Sequence, residues 1–473
     1  MSSVQEIITD LLVIGAGPGG YEAAIYAAKT GLDVTVAEKG LCGGTCLNIG
    51  CIPTKALVKT AEVYHTVQNA QFFGIQVDGK ASVNMGNVLT IKDQITEALR
   101  TGVTYLFHKN NIRLLQGAAA FIDAHNVSVK GEEDWIVKPR YILIETGSVP
   151  AVPPIPGIDL PQVMDSTAAL SEETIPSSVT IIGGGVIGME FAFLYSRLGA
   201  QVEVVEFLDR ILVMTDKDVS QVVGRAAKRA GIVIHTSSRV KEIREAEDGR
   251  PCVVYEDRKG EHVLVCDKVL SAVGRKPYYE GLGPENAGIV TAEKGRGVPV
   301  DEYMRTNVEH IYAIGDVTNR IQLAHAASHQ GFAAVDHILG KGHVMDYGKI
   351  PSVIFTAPEI ASVGMSEEEA KERAANGGPD YAVSKFPFAA NGKALTMQET
   401  EGFVKLLSDK ESGKILGGSV VGPDASALAG VLSLAVSCGL TAEDIAGAVF
   451  AHPTTAEAIG EAAMGFGVGM INY

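Results

Sequence analysis

Near the N-terminus three cysteines, Cys42, Cys46 and Cys51, fall within ten positions in LCGGTCLNIGCIPTKAL. Thiols clustered in this way can bind a metal, staple the chain or carry electrons by thiol–disulfide exchange. A zinc site wants CxxC pairs, or histidines at finger-like spacing. The gaps here are three and four residues and the nearest histidine is His65, so no metal site is expected. In a straight α-helix, residues five apart lie on nearly opposite faces with Cα atoms roughly 8–9 Å apart. A disulfide needs about 4.4–6.8 Å, so a Cys46–Cys51 bridge requires a distorted turn. Cys42 and Cys46 would meet on a helix, but Gly43 and Gly44 between them oppose one. Spacing leaves the pairing open.

Thiol exchange also needs a base to make the thiolate. The C-terminal AHPTTAE offers His452, either an ordinary helix-start residue or such a base, since histidine titrates in the right range. Glu457, five residues on, could fix its tautomer as in a catalytic triad. Pro453 suits the first turn of a following helix.

These groups need elements to position them and a carrier for the electrons. DLLVIGAGPGGYEAAIYAAKTGLDVTVAEKG predicts a strand, a glycine turn, a helix and a second strand ending in Glu38. Gly15, Gly17 and Gly20 have GxGxxG spacing, which allows a tight turn and close approach of backbone to a pyrophosphate. The helix N-terminus then faces the phosphates, and Glu38 can accept from a ribose hydroxyl. The unit recurs in SSVTIIGGGVIGMEFAFLYSRLGAQVEVVEFLDRIL, with Gly183, Gly185, Gly188 and Glu206 in the same places. Two nucleotide sites are predicted. An acid at the second ribose favours NAD, because a 2′-phosphate would be repelled there; Arg210, four residues on, is the one cation that could offset this.

Between the units, YILIETGSVPAVPPIPGIDLPQ is too rich in proline for a helix or central strand and predicts a crossover between domains. EHIYAIGDVTN predicts a short strand ending at Gly315-Asp316, where Asp316 is either a helix N-cap or a ligand to a cofactor hydroxyl. After Lys349, GFVKLLSD and KILGGSVVG predict a hairpin, followed by helices around SALAGVLSLAVSCGL and TAEAIGEAAMGFG. This α+β part has no nucleotide signature and suits contact with a partner or a second subunit.

At 473 residues the chain has room for about three domains. Its 56 acidic and 40 basic residues give a formal charge of −16, which disfavours nucleic acid as a partner. No apolar run approaches a membrane span, and the N-terminus lacks the basic region of a signal peptide. Cys252, Cys266 and Cys438 stand singly, so a reducing cytoplasm is the expected location.

Cys46 to Lys55 resembles the redox-active disulfide motif of the flavin-dependent disulfide reductases, GGTCxNxGCxPxK. The resemblance covers essentially the whole chain, through both glycine units, TGS at Thr146–Ser148, YAIGD at Tyr312–Asp316 and AHPTTAE. Within the family the chain is most similar to the lipoamide-specific branch, through CLNIGCIPTKAL, GGGVIGME, VEFLDRIL, QLAH and FPFAANGKA. The resemblance implies two Rossmann-like domains and a C-terminal α+β dimerisation domain: residues 1–150 for FAD, 151–275 for NAD, 276–350 returning to the FAD and central region, and 351–473 for the dimer interface. It pairs Cys46 with Cys51, leaves Cys42 outside the motif, and assigns the base to His452 with Glu457. Lys55 and Glu190 are expected to pair beside the flavin. Gly15, Gly17, Gly20, Glu38, Gly147 and Asp316 would hold FAD, and Gly183, Gly185, Gly188 and Glu206 would hold NAD. Val186 stands where glutathione-type reductases carry a gating tyrosine. A homodimer is implied, with His452 serving the other subunit's cysteines. The implied substrate is the lipoyl arm of a 2-oxo acid dehydrogenase complex or of the glycine cleavage system, and the alternative is a free dithiol or disulfide. Two departures stand out: Glu145 replaces the usual Ala before Thr-Gly, and ALAG at 427–430 replaces a more polar segment. The tail GFGVGMINY lacks the cysteine pair of mercuric reductases.

Overall fold

The structure is a computed structural model that describes residues 5–473; the reading of the N-terminus as strand rather than leader extends over residues 1–4, which lie outside the described residues. β1 (Gln5–Ile14) runs into the first glycine turn and α1 (Pro18–Lys29), then returns as β2 (Val34–Glu38). Leu11, Leu12, Val13 and Ile14 are all buried, as expected of a parallel strand covered on both faces. α2 (Gly44–Ile49) and α3 (Cys51–Gln68) carry the cysteines, followed by α4 (Met85–Lys109), β3 (Arg113–Phe121), β4 (Val127–Gly131) and β5 (Trp135–Ile144). The parallel strands lie in the order β3, β2, β1, β5 and Ile311–Ala313, with β4 antiparallel to β3 and β5. Small residues let α1 lie close to the helix Ala324–Ile338: a Cβ on Gly331 would stand 2.8 Å from that of Ala23.

The second unit repeats this plan. Strands Val233–His235, Gln201–Val205, Ser178–Ile182, Lys268–Ser271 and Val163–Met164 are all parallel in that order, with α5 (Val186–Arg197) leaving its glycine turn. The proline-rich crossover contributes only the short strand Ser148–Pro150, antiparallel to Arg275–Pro277. The predicted hairpin is present as Phe403–Asp409 with Ile415–Gly422, inside a five-stranded antiparallel sheet. Helix Ala425–Cys438 packs on that sheet, burying Leu428 and Leu432 against Leu406 and Val420. These layers make the α/β class with a C-terminal α+β unit.

One ion cluster joins the second unit to the C-terminal sheet. Lys405, on Phe403–Asp409, is fully buried, its Nζ 2.6 Å from Asp216, 2.9 Å from Asp218 and 2.9 Å from Glu367. Burial alone would push the ammonium towards neutrality. The three carboxylates reverse this and hold its pKa well above the usual lysine value.

Among the described residues, no helix is long and apolar enough to cross a membrane, and no group of His, Cys, Asp and Glu is arranged to hold a metal ion.

Candidate active site

The distorted turn that a Cys46–Cys51 pair requires is present at Gly50. That residue separates α2 from α3 with φ −144° and ψ −111°, so the two cysteines do not lie on one continuous helix. Their side chains come within hydrogen-bonding reach, and both are thiols in this structure. Cys46 donates to Cys51. This hydrogen bond, helped by the Lys55 ammonium and opposed by burial, brings the Cys51 thiol down to about 7. The same bond, and then burial, push Cys46 up. One thiol is thus set to be a thiolate and the other to keep its proton. Alkylation of Cys51 by iodoacetamide in the reduced chain should therefore rise with pH and reach half its plateau near pH 7; a midpoint at the free-cysteine value of about 8.5 would contradict this arrangement.

Lys55, one turn along α3, lies 2.8 Å from Glu190 on α5. Glu190 is buried and also accepts from the Phe355 N–H at 2.9 Å, while the Lys55 ammonium stands 4.5 Å above the Phe355 ring. Lys55 and Glu190 thus link the cysteine helix, the second unit and the C-terminal part.

Cys42 stands apart. It is buried among Ala16, Leu47 and Phe107, and burial raises its thiol to about 11. Cys42→Ser should leave turnover within about twofold but cost about 1–3 kcal/mol of stability, because it buries a hydroxyl. Turnover and the denaturant midpoint, measured on the same preparation, check both halves.

The cysteine segment is attached directly to the first glycine turn. Gly43 and Gly44 have φ +94° and +55°, a left-handed path that favours glycine. The Gly43 N–H donates to the Ala16 carbonyl at 2.7 Å, and a Cβ on Gly44 would strike Gly17 Cα at 2.7 Å. At the ends of the parallel strands, Glu38 accepts from Ala16 N at 2.7 Å. Asp316 lies in the turn after Ile311–Ala313, where it accepts from the Ser148 hydroxyl and makes no side-chain N-cap bond. Gly147, φ +73°, accepts from Tyr278 N at 2.9 Å beside them. Backbone donors at the turn and carboxylates at the strand ends fit the diphosphate and ribose of a dinucleotide such as FAD.

In the second unit Gly183, Gly185 and Gly188 form the matching turn. Glu206 accepts from Gly184 N at 2.5 Å and Leu208 N at 2.7 Å. Arg210 turns away to Glu368 and to the carbonyls of Val213 and Thr215. The acid is left as the charge at the ribose position, which fits NAD rather than NADP. Val186, the first residue of α5, is 36% exposed, so no aromatic side chain stands at that position.

His452 and Glu457 do meet: Nδ1 lies 2.9 Å from Oε1, and Oε2 accepts from Thr454 N at 2.9 Å. Against burial, the Thr454 N–H and then His452 hold the Glu457 carboxyl below its usual value. The helix begins at Glu457, not at Pro453, so the proline lies in the turn before it. Among the described residues no hydrogen bond or ion pair joins His452 to the cysteines, Lys55 or Glu190 of the same chain, and its side chain is 77% exposed.

Sequence reading missed Arg275. Its guanidinium donates to the Ser148 hydroxyl at 2.8 Å, the Ser148 carbonyl at 2.7 Å and the Thr45 hydroxyl at 3.3 Å. It thereby braces α2 one residue before Cys46. Its position after a buried strand in SAVGRKP is the one signal, and a single arginine at a strand end is too common to single out.

A disulfide oxidoreductase working with two dinucleotides is the class that this fold and site define. Residues 9–331 match the family described as Pyridine nucleotide-disulphide oxidoreductase, and residues 350–463 match its dimerisation domain. The chain belongs to this family, whose cofactors are FAD and NAD(H), and carries its own dimerisation domain for a homodimer. Among its relatives, the mitochondrial dihydrolipoyl dehydrogenase of Schizosaccharomyces pombe is 42% identical over 464 residues, covering 96% of this chain and 89% of that one. Dihydrolipoyl dehydrogenase of Bacillus subtilis is 40% identical over 454 residues, covering 96% and 97%. Of the solved structures, LpdA from Mycobacterium tuberculosis superimposes with a TM-score of 0.88 at 26% identity, covering 96% of this chain and 99% of that one. The HOCl-induced flavoprotein disulfide reductase RclA from Escherichia coli superimposes at 0.84 and 30% identity, covering 96% and 98%.

Proposed function

We propose that this chain is a dihydrolipoyl dehydrogenase: it oxidises the dihydrolipoyl group of a carrier protein, with NAD⁺ as final acceptor. The observation that carries the reading is the Cys46–Cys51 pair, set on two helices that break at Gly50 and backed by the Lys55–Glu190 ion pair, in a chain at least 40% identical to dihydrolipoyl dehydrogenases over nearly their full length. FAD, when bound, supplies the two-electron relay from the thiol pair to NAD⁺.

In this reading the oxidised chain holds a Cys46–Cys51 disulfide. A substrate thiolate attacks the Cys46 sulfur, releasing Cys51 as the better leaving group because its thiol is the more acidic. The second substrate thiol then displaces Cys46, which closes the substrate disulfide and leaves Cys46 as a thiol and Cys51 as a thiolate, the other substrate proton resting on His452. His452, held by Glu457, takes the proton of the attacking thiol. We assign His452 to the site of the second subunit, a reading supported by its exposure and by the lack, among the described residues, of a bond to the cysteines of its own chain. Lys55 favours Cys51 as thiolate, and Glu190 balances the Lys55 charge. FAD would be held by Gly15, Gly17, Gly20, Glu38, Gly147 and Asp316, and NAD by Gly183, Gly185, Gly188 and Glu206. We place the FAD domain at residues 1–150 and the NAD domain at 151–275, with 276–350 returning to the central region. The rest, 351–473, forms the interface.

The carrier would be the lipoyl-bearing protein of a 2-oxo acid dehydrogenase complex or of the glycine cleavage system, in a reducing cytoplasm. Reduced lipoamide with NAD⁺ should give rapid NADH formation. Much faster turnover of glutathione disulfide with NADPH would replace this reading with that of a disulfide reductase.

A further inference from the structure

The two dinucleotide units correspond residue by residue around their glycine turns. Gly15 and Gly183 both have φ +107°. Glu145 N donates to the Ile14 carbonyl at 2.8 Å, and Ala272 N donates to the Ile182 carbonyl at 2.8 Å. Glu145 and Ala272 therefore hold the same place beside their turns, and the carbonyl of each crowds the Cβ position of the first glycine. Their side chains make the difference. At Gly185, a Cβ would meet no atom of the chain within 4 Å. At Gly17, it would stand 2.7 Å from both carboxylate oxygens of Glu145. Glu145 Oε2 accepts from Gly17 N at 2.9 Å, and the residue is only 7% exposed. The carboxylate thus engages a backbone donor that such a turn offers to a dinucleotide diphosphate.

We propose that Glu145 is a built-in rival anion in the first glycine turn, so that FAD enters only as Glu145 takes up a proton and gives up the Gly17 N–H to the diphosphate. The proposal rests on FAD being the occupant of the first unit. An ionised carboxylate and a diphosphate facing one buried donor would repel strongly at low dielectric. Protonation removes the charge and turns the carboxyl into a donor.

The surroundings point the same way. Facing Glu145 are Glu38 at the end of β2, Asp316 after Ile311–Ala313 and Tyr21 on α1, while the nearby cation Arg275 is engaged with Ser148 beside Asp316. Burial, then Asp316 and Glu38, hold the Glu145 carboxyl well above its ordinary value, and the N–H groups of Gly17 and Gly20 only partly offset them. The sign follows by linkage. Below the pKa that Glu145 has in the flavin-free chain, FAD affinity is independent of pH; above it, one proton must be taken up and affinity falls as pH rises.

The test uses the full chain, stripped of flavin and titrated with FAD by flavin fluorescence across about pH 6 to 9. The wild-type Kd should rise with pH, approaching tenfold per unit, and binding in weak buffer should take up close to one proton. E145Q and E145A should give flat profiles without proton uptake, and bind FAD at least about tenfold more tightly at the alkaline end. E145A copies the alanine already present at residue 272, and NAD binding at the second unit reports that each variant is folded. Parallel profiles in wild type and variants, a flat wild-type profile, or weaker FAD binding by E145A would overturn the proposal. If none of the three forms takes up FAD, the cofactor reading of the first unit fails, and the proposal with it.

Discussion

Cys46→Ser should reduce NADH formation from reduced lipoamide by more than about a thousandfold, on the scale seen when an attacking nucleophile is removed. Serine keeps the size of the side chain but cannot form or exchange a disulfide. A serine hydroxyl can still donate to Cys51, so the contact that, with Lys55, lowers the Cys51 thiol is not what the variant tests. The loss should lie in turnover and not in folding. Cys46 is only partly buried on a short helix, and Gly43, Gly44 and Gly50 set that helix's course. Stopped assays with reduced lipoamide, together with flavin content and circular dichroism on the same sample, separate the two. If the variant keeps dithiol–NAD activity, the assignment of Cys46 is wrong. Cys42→Ser in parallel is the control that distinguishes a reacting thiol from a packed one.

Lys405→Met should have the largest effect on stability, about 3–5 kcal/mol, because it leaves Asp216, Asp218 and Glu367 facing one another around a buried point without their cation. The shape of the side chain is nearly kept, so a cavity contributes little. The exposed pair Arg229–Glu401 spans the same two parts of the molecule, yet its removal should cost no more than about 1 kcal/mol, since water screens it. Denaturant unfolding of both variants gives the comparison. A loss below about 1 kcal/mol for Lys405→Met would mean that the carboxylates simply take up protons or rearrange. Because Asp216 and Asp218 sit at the start of Lys217–Arg229, the same substitution should also loosen the second unit and weaken NAD binding.

What could be read from the sequence follows from how local each signal is. Both glycine turns, their strands and the acids at the strand ends lie within about thirty residues, and each constrains the next. The redox segment declares its residue types, but spacing alone cannot predict that Gly50 breaks the helix and brings Cys46 and Cys51 together. Lys405 reads as a polar position in an alternating hairpin, whereas all seven residues of its strand are buried. Its partners lie 38 to 189 positions away, and no local pattern carries that information. Glu145 is visible as an odd residue before Thr-Gly, but its contact with Gly17 spans 128 positions. The His452–Glu457 pair is legible because both partners sit in one short motif. Arg275 acts through the Ser148 and Thr45 hydroxyls and the Ser148 carbonyl, partners 127 and 230 positions away, so its bracing of α2 emerges only in three dimensions.

The joint between Gly43-Gly44 and the first glycine turn ties the redox segment to the dinucleotide turn of the first unit. The Gly43 N–H is bonded to the Ala16 carbonyl, and Gly44 lies against Gly17, so the sulfur-bearing helix has no slack of its own. That tie is made by backbone atoms alone, so changes to the helix's outward side chains leave it in place. An extra residue between Ala16 and Gly43 would break this tie and shift Cys46 relative to the turn.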